Sequence, residues 1–370
     1  MVDLMGQYSK IKEQIDSNII KTIRSGKLIN GPIVQEFSEN LAKFIDVKHV
    51  IPCANGTDAL QIAFMALELK PGDEVICPAW TYVATAEAAA ILGLIPVMCD
   101  VDPDTFNVTA DNIEPLITKK TKAIIPVHLY GQSCDMEPII NLAKKYDIKI
   151  IEDNAQAIGC KYTFKNAKVM STGTMGDIGT TSFYPSKNLG AYGDGGAIFT
   201  NNDELADKIL LAANHGQNKR YHHKIIGCNS RLDSIQAEIL NVKLKYLSDY
   251  NRNRVIMANN YNLAFDKLTE LQIPKVIKNS THVYHQYTLK IANNKRDKLK
   301  EYLSDNGIPS MIYYPIPLYK QQAFKKYVSD DFQLIITEEL SKNVISLPIH
   351  TELETSNQDY IIETVLNFYK

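Results

Sequence analysis

Lys187 lies in the run TTSFYPSKNLGAYGDGGAI, residues 180–198, where an apolar strand pattern passes into a turn rich in glycine. A lysine amine becomes a nucleophile and a Schiff-base former once desolvation or a neighbouring cation lowers its pKa. On a solvated surface the same side chain does no such chemistry, and the surface is the ordinary place for a lysine. Its surroundings must therefore decide. Gly190, Gly193, Gly195 and Gly196 follow closely and allow a tight backbone, but they lack the spacing of a dinucleotide-binding turn. Asp153 ends the apolar run IKIIED ahead of Asn154-Ala155-Gln156, so a carboxylate stands where a buried strand opens. It reads either as a functional group or as a helix N-cap. Asn55-Gly56-Thr57 separates a short apolar strand from an alanine- and leucine-rich helix. Unsatisfied first-turn amides and the helix dipole suit a phosphate on Gly56 and Thr57, while a plain cap by Asn55 or Thr57 explains the same residues. His215, Arg220, His222, His223, Asn229 and Arg231 share one polar segment. Those histidines lack HxxxH spacing and an acidic companion, so no metal site is expected.

The elements that would position these groups follow from periodicity. Ile11, Ile15, Ile19 and Ile23 predict an amphipathic helix ended by Gly26, and Pro32 opens a second helix reaching about Ile45. From Asp73 onward strand and helix patterns alternate: EVICP, a helix from Tyr82 to Leu92, IPVMCDVD, AIIPVHLYG, a helix from Met136 to Tyr146, then IKIIED. Such alternation predicts a mostly parallel sheet with helices on both faces, an α/β architecture. Ligands collect at the carboxyl ends of such strands, which selects Thr81, Tyr82, His128, Tyr130, Asp153, Gln156 and the Lys187 turn. A helix from Glu204 to Asn214 and a long one beyond Leu232 come next, the latter linking to the remainder. HQYTLKI, a helix from Arg296 to Asp305, MIYYPIP and NVISLPIH then suggest a smaller α+β domain. The expected division is 1–250 and 251–370.

Composition narrows the function. A chain of 370 residues, 45% hydrophobic and 22% charged, buries a sizeable core and falls in no fibrous or disordered class. The net charge of -2, with no long basic run, disfavours nucleic-acid binding. The cysteines at 53, 77, 99, 134, 160 and 228 are scattered without a CxxC pair and read as reduced thiols. No signal peptide or membrane-spanning stretch is evident, so a cytoplasmic protein is expected.

Taken together, GPIVQEF, CANGTDAL, GDEVICPAWTYVATAEA, VHLYGQSCDM, IEDNAQAIG, SFYPSKNLGAYGDGGAIFTN, HGQNKRYHHKIIGCNSRLD, YYPIPLYKQQAF and SLPIH resemble the DegT/DnrJ/EryC1/StrS sugar aminotransferases. The likeness spans nearly the whole chain in family order. It implies the fold-type-I architecture of pyridoxal 5'-phosphate enzymes, with Lys187 as the Schiff-base lysine and Asp153 as the partner of the pyridine nitrogen. Gln156 would bond the ring hydroxyl, Tyr82 would stack on the ring, and Gly56, Thr57 and Ser182 would hold the phosphate. Asn229 would reach the cofactor phosphate of a neighbouring subunit, which implies a homodimer with shared sites. L-glutamate would be the amino donor and a nucleotide-linked keto sugar the acceptor, serving surface polysaccharide synthesis in a bacterium. Arg231 or Arg220 would meet a carboxylate or phosphates, with His215, Tyr313 and Tyr314 also on the sugar side.

Within that family the wording is nearest the enzymes that aminate UDP-2-acetamido-2-deoxy-3-oxo-glucuronate at C3. Enzymes for dTDP-3-keto-6-deoxyhexoses share the RYHH and NSRLD signatures and are the alternative. Tyr313 departs from the uronate group, which carries histidine there. Members that remove a hydroxyl replace the Schiff-base lysine with histidine, and Lys187 argues against that chemistry. A non-catalytic regulatory module would be marked by loss of Lys187, Asp153 or Gln156, and all three are present.

Overall fold

The computed structural model describes residues 2–370. Helix α1 (Leu4–Ser25) is capped by the Asp3 carboxylate, which accepts from the Gly6 amide, and ends at Gly26 in the left-handed region. Ile11 and Ile15 are buried and Ile19 packs beside them, whereas Ile23 is about half exposed, so the isoleucine stripe is covered at one end only. Helix α2 (Pro32–Ile45) begins at the proline and buries Phe37, Leu41 and Ile45.

Seven strands form the central sheet: β1 (His49–Cys53), β2 (Glu74–Pro78), β3 (Ile95–Cys99), β4 (Thr121–Ile124), β5 (Lys149–Asp153), β6 (Ile178–Ser182) and β7 (Gly196–Thr200). Their order is β1-β7-β6-β5-β4-β2-β3. The neighbours from β6 to β3 pair in parallel, and β7 runs antiparallel to both β6 and β1. The reversal has a local cause. The glycine-rich turn carrying Lys187 leaves the carboxyl end of β6 and returns directly as β7, with no crossover helix.

Helices α3 (Gly56–Ala66), α4 (Ala84–Ile91), α5 (Met136–Tyr146) and α6 (Asp203–Ala213) complete the large layer. α4 starts two residues later than the pattern suggested, leaving Tyr82 in the preceding loop and 60% exposed. The long helix expected after Leu232 is two helices, α7 (Ser234–Leu244) and α8 (Leu247–Phe265), broken at Lys245-Tyr246.

A smaller three-stranded sheet is antiparallel: β8 (Leu271–Gln272), β9 (Tyr287–Ile291) and β10 (Val344–Leu347), with α9 (Arg296–Asp305), α10 (Ile335–Asn343) and α11 (Thr355–Phe368). Position 250 falls inside α8, whose Tyr261 and Phe265 pack with Tyr287, Leu289 and Ile345 of this sheet. MIYYPIP is not a strand; Met311 alone bridges to Ser346, and prolines at 315 and 317 remove the donors a ladder needs. The chain then returns to the large layer, where the Leu318 amide bonds the Ala79 carbonyl at 3.1 Å and Tyr319 and Phe324 enter that core. Among the described residues no helix is long and apolar enough to cross a membrane.

Adjacent residues at the end of β5 face opposite ways, as the strand pleat requires. Asp153 looks into a cavity, while Glu152 is fully buried on the other face. The Glu152 carboxylate accepts from the Gly173, Met175 and Gly176 amides at 2.8, 2.6 and 2.6 Å, and from His128 Nε2 at 2.8 Å. His128 Nδ1 accepts from the Cys134 amide, so Nε2 carries the proton. His128, at a strand end, is thus a structural residue outside the cavity. Glu152→Ala would orphan all four donors and should cost about 3–5 kcal/mol in urea unfolding. An unchanged midpoint would refute this anchoring.

Candidate active site

A cavity of about 700 Å³ opens at the carboxyl ends of β5 and β6. The sheet supplies Asp153 and Ser182, the β6–β7 turn supplies Lys187, and the α3 N-terminus supplies Gly56 and Thr57. Tyr82, Gln156, Tyr313 and Tyr314 line it as well. Residues scattered from 56 to 314 therefore converge on one space.

The Gly56 end is built by close approach. A Cβ on Gly56 would lie 2.8 Å from Ser182 Cβ, so a side chain there would push the helix off β6. Asn55 caps α3 by accepting from the Asp58 amide at 2.8 Å. The cap reading thus holds for Asn55 and leaves the Gly56 and Thr57 amides without helical acceptors. Two free amides at a dipole's positive end, with the Ser182 hydroxyl beside them, are a donor set for a phosphate.

Asp153 Oδ2 accepts from the Thr85 hydroxyl at 2.8 Å, and Thr85 in turn lies 3.3 Å from the Thr81 hydroxyl. Asp153 Oδ1 accepts from the Ala155 amide at 3.1 Å. Thr85, and Thr81 behind it, are themselves buried. Across the cavity, desolvation lowers the Lys187 pKa from 10.5 to about 8, with the Asp153 charge opposing that fall. Gln156 Oε1 accepts from the Tyr130 amide at 2.7 Å, and its Nε2 donates to the Tyr314 hydroxyl at 3.0 Å. Tyr314 is packed edge-on against Trp80, and burial raises its phenol's pKa.

Thr85, His285 and Gln286 also line the cavity and were not singled out from the sequence. Thr85 had a faint signal, a hydroxyl inside the alanine-rich run TYVATAEAAA, but its partner lies 68 residues away. His285 is buried, Nδ1 lying 3.3 Å from Asn188 Oδ1, and burial with nearby Lys187 and Arg254 holds it well below the usual histidine range.

Asn229, Arg231, Arg220 and His215 lie outside this chain's cavity. Asn229 bridges to Asn214, and the His215 carbonyl lies 2.8 Å from His223 Nδ1. Arg220 lies over the Tyr221 ring, and Arg231 lines a separate groove with Asn30, Lys208 and Lys224. Among the described residues no cluster of histidine, cysteine and acidic side chains is set to hold a metal.

A desolvated lysine facing a restrained carboxylate, with a phosphate cup between two elements, fits pyridoxal phosphate by its donor set. Comparison with known proteins agrees. The DegT/DnrJ/EryC1/StrS aminotransferase family matches residues 9–366, and the chain belongs to that family. It is 46% identical over 367 residues, 99% of each chain, to the UDP-2-acetamido-2-deoxy-3-oxo-D-glucuronate aminotransferase of Pseudomonas aeruginosa. It is 43% identical over 372 residues to a pleiotropic regulatory protein of Geobacillus stearothermophilus, covering 100% of this chain and 98% of the relative. The crystal structure of NtdA from Bacillus subtilis with bound cofactor PMP matches with a TM-score of 0.89 at 34% identity, over 97% of this chain and 82% of that one. The protein is a pyridoxal-phosphate-dependent aminotransferase of the α/β fold.

Because the Lys187 pKa is depressed to about 8, its neutral amine gains population as pH rises through about 8 and not through 10.5. Capture of added pyridoxal phosphate by the apoprotein should rise over that window and level off above it. Asp153→Asn removes the charge that retains the proton, so the midpoint should move to lower pH. A midpoint near that of a free lysine would contradict the desolvated setting.

Proposed function

We propose that this sugar aminotransferase carries an amino group from L-glutamate to C3 of a nucleotide-linked 3-keto sugar, with UDP-2-acetamido-2-deoxy-3-oxo-glucuronate as the favoured acceptor. The observation that carries the reaction is the desolvated Lys187 amine sharing one cavity with Asp153 and the Gly56 cup. The acceptor rests on the full-length identity to the Pseudomonas enzyme. A dTDP-linked 3-keto-6-deoxyhexose is the second reading, because tyrosine in place of histidine at 313 weighs against the uronate.

Pyridoxal phosphate, when bound, supplies an electron sink for the substrate carbon. This chain's residues do the rest. Gly56, Thr57 and Ser182 would bind the phosphate through two amides and a hydroxyl. Asp153 would keep a proton on the pyridine nitrogen, and Thr85 and Ala155 keep Asp153 aimed. Tyr82 would cover the ring, and Gln156, held between Tyr130 and Tyr314, would meet the ring hydroxyl. Lys187 Nζ removes the proton from the donor's α-carbon as a base and later delivers one as an acid, in line with an amine whose pKa lies near the working pH.

Asn229, Arg231, Arg220 and His215 are assigned to the site of a second copy in a homodimer. Support comes from their position outside their own cavity, together with the exposed apolar residues Ile20, Ile23, Leu28, Ile29 and Ile226. Arg231 and Arg220 would then meet the sugar carboxylate or the diphosphate by paired hydrogen bonds.

Glutamate should convert the visible absorbance band of the holoprotein to the near-ultraviolet, and only the true 3-keto sugar should restore it. Lys187→Ala should fold and show no turnover; turnover at the wild-type rate would end the assignment. Mixing the Lys187→Ala and Asn229→Ala proteins should regenerate roughly a quarter of the wild-type sites, because random exchange makes half the dimers mixed, each with one complete site. If exchange occurs and activity stays absent, the site is not shared.

A further inference from the structure

Lys243 on α7 is 1% exposed, and the chemistry above leaves it without a task. Its Nζ donates to the Gly190 carbonyl at 2.6 Å and lies 4.8 Å from the Tyr192 ring centroid. Burial lowers its pKa to about 8, with no carboxylate charge acting against that fall. A buried ammonium without a counterion is costly, and an apolar side chain of similar volume would usually serve folding as well or better. What the ammonium holds therefore has to explain it.

Gly190 is three residues beyond Lys187 in the same turn. A Cβ on Gly190 would stand 2.3 Å from the Pro185 carbonyl oxygen, so this glycine is pressed against the segment that presents Lys187. The turn is closed from within by the Ala191 amide on the Phe183 carbonyl and the Lys187 amide on the Tyr184 carbonyl, both at 2.8 Å. From outside it is gripped by α7 at two points. Gln236, two turns before Lys243 and so on the same helix face, accepts from the Tyr192 amide at 2.9 Å and donates back to the Tyr192 carbonyl at 3.4 Å.

We propose that Lys243, with Gln236, is a positioning residue for Lys187, an ammonium pin from α7 that sets where the β6–β7 turn holds the reacting amine. A charge-assisted bond to a carbonyl in a dry interior is stronger than a neutral one, and small misplacements of a reacting group are expensive in rate. The inference rests on Lys187 as the reacting amine and is independent of which sugar or donor is used.

The test is Lys243→Met, which keeps the apolar stem and removes the donor. The apoprotein should unfold in urea at the same or a higher midpoint. The rate constant for capture of pyridoxal phosphate by Lys187 should fall about tenfold to a hundredfold. Turnover should fall by a similar factor while the donor KM stays within about threefold. Lys243→Arg, which restores a charged donor, should recover most of both rates. Capture and turnover within about twofold of wild type would overturn the proposal, as would losses that merely track the folded fraction. Should Lys243→Met fail to fold, Gln236→Leu removes the other grip and is read the same way. Capture uses neither sugar nor glutamate, so a wrong acceptor or donor would leave its outcome unaffected.

Discussion

An amine that reacts near neutral pH must be partly withdrawn from water, with any carboxylate charge too weak to restore its ordinary pKa. Lys187 meets that condition: desolvation lowers its pKa to about 8, and Asp153 opposes the fall without cancelling it. The carboxylate is restrained in turn, since Thr85 and the Ala155 amide each occupy one of its oxygens. Both groups therefore share a cavity with their directions set by other atoms. The parallel order of β5 and β6 makes this possible, because it brings Asp153 and the Lys187 turn to the same sheet edge.

The same strand end carries structure on its other face. Glu152, itself fully buried, gathers three amides and His128, which pins the 173–176 loop behind the site. Satisfying every donor is what makes a buried carboxylate tolerable. Two unpaired buried cations follow a related logic with carbonyls as acceptors. Lys243 takes that of Gly190, and Arg254 Nη1 takes those of Tyr284 and Ile349 at 3.1 and 3.0 Å. α7 and α8 thus hold the Lys187 turn and the lead-in to His285 and Gln286 at the cavity wall.

The segment from His215 to Arg231 contributes nothing to its own chain's cavity, yet it is rich in cations and exposes Tyr221 and Ile226 at 77% and 89%. Such exposure is expensive for an isolated protomer. In the shared-site reading it becomes contact surface, and the groove lined by Arg231, Lys208 and Lys224 becomes part of the subunit boundary.

The sequence alone determined the elements whose signals are local. The helices at 136–146 and 296–305, the proline start of α2 and the strand–Asn55-Gly56–helix passage were legible because caps, prolines and hydrophobic period act within a few residues. Lys187, Asp153 and Gln156 stood out because they sit at strand ends, where a doubly wound sheet places ligands. Only the tertiary structure decided what depends on pairing across distance. It made His128 a structural partner of Glu152, kept Tyr82 out of its helix, split the long helix at Lys245-Tyr246 and left MIYYPIP as an irregular lining segment. It also set Thr85 beneath Asp153 and Lys243 against Gly190, contacts 68 and 53 residues apart in the chain. Buried polar atoms bond whichever partner the packing brings to them, and no periodicity in either segment records that choice.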